Sequence, residues 1–168
     1  MSRAFTREPD ADAAAAADVL PDRPISSETN FVTAAGLAEI EQTLQRLALA
    51  RNLAAAQNDV RELAVLAREQ RYWHARHASA RLIDPGEQPQ VARFGVKISL
   101  QHHDGSQLVF RIVGEDEADP AAGKLSFVSP VARALLGARL GDQVTIAARE
   151  LTVTALHGSE PAPPAVPN

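Results

Sequence analysis

Residues 110–146 read FRIVGEDEADPAAGKLSFVSPVARALLGARLGDQVTI. Inside it, Lys124–Val128 has the composition of a short strand, and Ser129-Pro130 then opens a helix. Ser suits the N-cap and Pro the first helical position, and Gly137 closes the helix. Gly141-Asp142 is a turn leading into a strand over Gln143–Ala147, with a last strand at Leu151–Leu156. Working upstream, Val96, Ile98 and Leu100 alternate with polar residues as a half-buried strand does. His103-Asp104-Gly105 turns that strand back into Leu108–Val113, since Asp-Gly is a strong hairpin signal. The spacing predicts a small antiparallel sheet with one short helix over residues 94–157.

Further upstream the period changes. Between Phe31 and Pro85 there is no proline and only Gly36, and Thr33 is placed to cap a helix. Leu37, Ile40, Leu44 and Leu47 form one apolar stripe at 3-4 spacing. Leu63, Leu66, Gln70, Trp73, His77 and Ala80 form a second with polar interruptions. Gln57-Asn58-Asp59 is the turn-favouring cluster between them. A single long helix would leave both stripes uncovered in a monomer, so an antiparallel helical hairpin with arms 34–56 and 60–82 is expected; a continuous helix that dimerises is the alternative. Tyr72 and Trp73 are expected to pack the hairpin root against its first helix.

The chain is thus α+β: an N-terminal antiparallel coiled-coil hairpin at 30–84, a linker at 85–93 and the sheet domain at 94–157. Residues 1–29, rich in acids and prolines, read as a disordered leader, and 158–168 as a Pro-rich disordered tail. Of 168 residues, 45% are hydrophobic and 23% charged, which fits a folded protein. The absence of cysteine removes disulfides and thiolate chemistry, and favours a reducing compartment. No stretch approaches a membrane-spanning run and MSRAFTREPD has no apolar signal region, so a cytoplasmic protein without membrane contact is expected. A net charge of −4, with no strongly basic region, excludes a stand-alone nucleic-acid binder.

The 110–146 stretch closely resembles the C-terminal domain of the bacterial transcript cleavage factors GreA and GreB. Their pattern joins an aromatic-Arg-Ile-Val-Gly strand, an Asp-Glu-Ala-Asp turn, a Ser-Pro-x-Ala-Arg-Ala-Leu-Leu-Gly helix and a Gly-Asp turn. FVTAAGLAEIEQTL, residues 31–44, resembles the start of the family's coiled coil, where Thr-x-x-Gly is usual. The resemblance spans roughly residues 30–157 and implies an FKBP-like sheet domain that docks on RNA polymerase and is not a prolyl isomerase. It implies core polymerase as partner, bound at the rim of the secondary channel through Val128, Ser129, Pro130 and Arg133. Val128 stands where the family usually has Asn or Asp. Nascent RNA or DNA would be met only through the polymerase complex.

Family members insert the coiled coil toward the active site, where two tip acids in Gly-Asp-x-Ser-Glu-Asn help hold the second Mg²⁺ and its water. Carboxylates suit that hard cation and the two-metal hydrolysis of phosphodiesters. Here the tip reads Asn58-Asp59-Val60-Arg61-Glu62-Leu63-Ala64, so Asp59 and Glu62 are the candidate acids while Gly, Ser and Asn are gone. Each arm is also shorter by roughly eight to ten residues, about 12–15 Å of reach. Cleavage stimulation is therefore in doubt, and Mg²⁺ would enter only within the polymerase. Asp59 with Glu62 three residues on is equally a capping box for the second arm.

The resulting expectation is a monomeric, non-enzymatic elongation regulator with no cofactor of its own. The alternatives are a true cleavage factor using Asp59 and Glu62, and a relative of the shorter-coil regulators of nucleoside diphosphate kinase. Arg61, Arg68, Arg71, Arg76 and Arg81 read as a solvated basic face that could instead meet RNA or acidic walls. His74, His77, His102 and His103 lack a third ligand at metal spacing and read as structural.

Overall fold

The computed structural model describes residues 20–158, so the expectations for 1–19 and 159–168 lie outside the described residues. The chain divides into two units: residues 20–28 with 40–79, and 29–39 with 80–158.

Helix α1 (Ala34–Ala56), of which residues 40–56 lie in the first unit, and helix α2 (Val60–Ser79) form the expected hairpin. α1 ends at Asn58, whose φ of 52° is left-handed. Asp59 N donates to Ala54 O at 3.0 Å and Asn58 N to Ala55 O at 3.1 Å, the paired bonds of a Schellman motif. Asp59 then caps α2 at once, so three residues reverse the chain. A continuous dimerising helix is excluded by this break. Across the arms, Arg51 Nη1 donates to Gln70 Oε1 at 2.9 Å, and His77 Nε2 lies 3.5 Å from Glu41 Oε1. Ile40, Ala54 and Leu66 are buried, whereas the interrupted end of the second stripe leaves His77 exposed. Arg76, assigned to the solvated face, is instead fully buried. Leu20, Asp22 and Arg23, read from the sequence as leader, lie in contact with α2, and Tyr72 receives Arg23 on its face.

The second unit is a five-stranded sheet. Strand β1 (Phe31–Val32) pairs with β2 (Arg81–Leu82) as a separate two-stranded parallel piece. The main sheet comprises β3 (Lys97–His102), β4 (Gln107–Val113), β5 (Lys124–Ser126), β6 (Gln143–Ile146) and β7 (Arg149–His157), in the order β5-β4-β3-β7-β6. Helix α3 (Pro130–Leu135) contributes Ala132 and Leu135 to its core. Val96, Ile98 and Leu100 are fully buried, with Ile112, Leu151 and Val153 beside them, as the alternation requires. Phe31, Phe94 and Phe127 form a satellite cluster with centroids 5.5 to 5.9 Å apart.

The sheet is mixed, not antiparallel, because β5 runs parallel to β4. Parallel neighbours need a crossover, and residues 114–123 supply it through a 3₁₀ turn at Pro120–Ala122. Gly123 ends that turn at φ 73°, and a Cβ there would lie 2.6 Å from Val109 O, so glycine is required twice over. A second difference lies between β6 and β7. Ile146 pairs with Arg149 across Ala147-Ala148, both at positive φ, so the hairpin turns without its usual Asn or Gly.

Candidate polymerase-contact site

The acidic turn of the 110–146 stretch is a structural joint. Thr33 caps α1, its Oγ1 accepting from Gly36 N at 2.9 Å, while its hydroxyl donates to Glu117 Oε2 at 2.5 Å. Glu117 is buried. Lys124 Nζ reaches Glu39 Oε1 at 3.1 Å and Glu117 Oε1 at 3.5 Å. Burial pulls the Lys124 ammonium down, but hydrogen bonding and charge from Glu39 and Glu117 outweigh it, so its pKa is raised. Asp119 caps the 3₁₀ turn, accepting from Ala121 N and Ala122 N. Sequence reasoning missed this cluster. Its only signal was the Thr-x-x-Gly spacing, whose glycine leaves room for the carboxylate.

The contact residues expected from the resemblance lie together at the start of α3. Ser129 Oγ accepts from Ala132 N at 3.2 Å and Ser129 O from Arg133 N at 3.0 Å, so Ser129 is the N-cap and Pro130 the first helical residue. Pro130 and Arg133 are exposed, and Val128 and Ser129 half-buried. The helix ends against residue 92, where Gly137 N donates to Ala92 O and Ala92 N to Ala138 O. Just past it, Leu136 and Leu140 are 41% and 68% exposed, apolar positions at a helix end that sequence reasoning had not singled out. Pro130 and Arg133 thus expose a rigid ring and a cation at the helix start. Leu136 and Leu140 expose apolar side chains beyond its end, and these residue types suit a protein partner.

At the hairpin tip, Asp59 Oδ1 accepts from Glu62 N at 2.9 Å, which is the N-cap bond of α2. The reciprocal half of the capping box is absent among the described residues, because Asp59 N is used by the Schellman motif. Both acids are exposed. Among the described residues no group of three or more His, Cys, Asp or Glu could hold a metal ion. His102 Nδ1 lies 3.1 Å from Asp104 Oδ2 in the β3–β4 turn. Hydrogen bonds from Ser106, then from His102, hold the Asp104 carboxyl well below the usual carboxylate range.

The family described as "Transcription elongation factor, GreA/GreB, C-term" matches residues 87–156, the segment that carries β3 to β7 and α3. Residues 87–156 thus match a GreA/GreB C-terminal domain. Transcription elongation factor GreA of Legionella pneumophila is 43% identical over 75 residues, 43% of this chain and 47% of that protein. GreA of Ralstonia nicotianae is 45% identical over 74 residues, 42% and 47% of the two chains. The chain thus spans about half the length of the curated relatives it matches. Among solved structures, the transcription factor Gfh1 is 25% identical, covering 82% of this chain and all of that one, with a TM-score of 0.40. A GreA/GreB factor from Nitrosomonas europaea is 17% identical, covering 76% and 96%, at 0.38. The sequence match of the GreA/GreB domain lies over the sheet unit, and the hairpin stands outside it.

Proposed function

We propose that this chain is a GreA/GreB-family factor that regulates transcription elongation by binding core RNA polymerase at the secondary-channel rim without stimulating RNA cleavage. Val128, Ser129, Pro130 and Arg133 make the contact, supported by the family match over the domain that carries them. The observation that carries the rest is the tip. Asp59 accepts the N-cap bond of α2 on Oδ1, a structural role that needs no metal. The arms are 23 and 20 residues long, about 34 and 30 Å, short of the reach that the resemblance implies for the family. The protein acts as a cytoplasmic monomer, is not itself an enzyme, needs no cofactor of its own and meets RNA or DNA only through polymerase.

A second reading has one observation in its favour: Asp59 and Glu62 are both exposed at the tip. The double variant Asp59→Ser with Glu62→Gln separates the two. Ser still caps, so stability should hold within about 1 kcal/mol, while both carboxylates are lost. Assayed on a backtracked complex, wild type and variant should bind alike and neither should speed cleavage. Robust cleavage by the wild type that the variant loses would establish the cleavage factor instead. Failure to co-purify with core polymerase would defeat both readings, leaving another client such as the one proposed for the shorter-coil relatives.

A further inference from the structure

Residues 20–23 lie against α2 as a short strap. Pro21 and, just past the strap, Pro24 preset φ and lower the entropy lost in laying it down. Arg23 Nη1 donates to Glu69 Oε2 at 2.6 Å, and its guanidinium carbon lies 3.7 Å from the centroid of Tyr72 and 5.8 Å from that of Trp73. Arg71 grips in return, donating from Nε to Asp22 Oδ1 at 2.6 Å and from Nη2 to Leu20 O at 3.1 Å. The two rings meet edge to face at 5.2 Å, so the strap covers one aromatic–basic face. Apolar contact adds little, since Leu20 is only half-buried and Ile25, beyond the strap, is 49% exposed. The hold is ionic and cation–π, between side chains still 23% to 71% exposed. Contacts of that kind are individually weak and screened by salt.

We propose that the strap is a displaceable cover, closed over Arg71, Tyr72 and Trp73 in the free protein and lifted off when the hairpin engages polymerase. The gating role rests on the polymerase reading above. A core segment would be held by buried apolar side chains; this one is held by contacts that a competing anion and a competing planar group can each replace. Because only the open form is competent, closure lowers the apparent affinity by the open fraction.

The chain has one tryptophan and one tyrosine, both under the strap, so intrinsic fluorescence reads the cover without labelling. In the full chain, Arg23→Ala should raise acrylamide quenching of Trp73 by about twofold, with helix content unchanged by circular dichroism. Wild type should approach that value as salt rises from about 0.05 M to about 1 M. Arg23→Lys, which keeps the charge but not the planar stack, should fall between. Arg23→Ala should also bind core polymerase about fivefold to tenfold more tightly. Equal quenching in wild type and Arg23→Ala would overturn the cover. Changed quenching with equal affinity would overturn the gate. If neither chain binds polymerase, the polymerase reading and the gate fall together, while quenching still decides the cover.

Discussion

Gly36 sits inside a helix where alanine would ordinarily be better by up to about 1 kcal/mol. Here a Cβ would lie 2.6 Å from Glu117 Oε2 and 3.2 Å from its carboxyl carbon. That oxygen ends a flexible side chain, but Thr33 donates to it and Lys124 faces the same buried carboxylate, so it cannot swing away freely. Gly36→Ala should therefore destabilise the protein by about 1–2 kcal/mol, the sign opposite to helix propensity. Thermal unfolding of Gly36→Ala beside Gly36→Ala/Glu117→Ala checks it: the second change should recover part of the loss. A stabilising Gly36→Ala would mean that the carboxylate is not held. The Thr-x-x-Gly spacing was legible as a helix start, because capping is local. Its partner Glu117 is 84 residues away, and no local pattern carries that pairing.

At the scale of elements, the hairpin was legible because Gln57-Asn58-Asp59 joins a residue that tolerates left-handed φ to one that caps. The β6–β7 turn was not, because Ala147-Ala148 carries no turn chemistry. Both alanines hold positive φ, at 49° and 63°, in a two-residue hairpin. An L-residue in that region costs about 1–2 kcal/mol. An Asn-Gly dipeptide in place of the two alanines would remove most of that strain, so Ala147→Asn/Ala148→Gly should gain about 1–2 kcal/mol with the Ile146–Arg149 register intact. Chemical denaturation supplies the number, and amide exchange at β6 the register. No gain would show that the loop already relaxes to another turn in solution. The parallel β5 escaped prediction for a related reason: a strand's direction depends on its crossover, and of residues 114–123 only the Asp116–Asp119 turn was legible, through the resemblance. The strap escaped because the prolines and scattered charges in and around it show no period, and its hold comes from side chains on α2.

At the scale of the whole molecule, the sheet unit takes its chain from two places, 29–39 and 80–158. A division at residue 94, as the sequence suggested, leaves out part of what the sheet is built on. Phe31 packs at 5.8 Å from Phe94 and 5.5 Å from Phe127. Arg81 N donates to Asn30 O at 2.8 Å and Ile83 N to Val32 O at 3.0 Å. A Cβ on Gly114 would come within 2.5 Å of Phe31 O, a measure of how closely that strand lies. Cutting the chain to 90–157 uncovers Phe94 and Phe127 and takes Thr33 away from Glu117. Losing a half-buried phenylalanine and one charge-assisted hydrogen bond should lower stability by about 2–4 kcal/mol, a large share of a domain's usual 5–15. The isolated segment should thus exchange its β3 and β7 amides far faster than the same strands do in the full chain. Phe31→Ala in the full chain should move those amides part of the way, separating the ring's contribution from the effect of truncation. If the isolated segment protects β3 and β7 as well as the full chain does, residues 29–39 are an accessory and the sheet folds on 90–157 alone. The expected loss also governs how docking is measured: weak polymerase binding by 90–157 would report partial unfolding. A docking test such as Pro130→Arg, which sets a bulky charge on the proposed contact and should weaken binding, therefore belongs in the full chain, where the surface keeps its support.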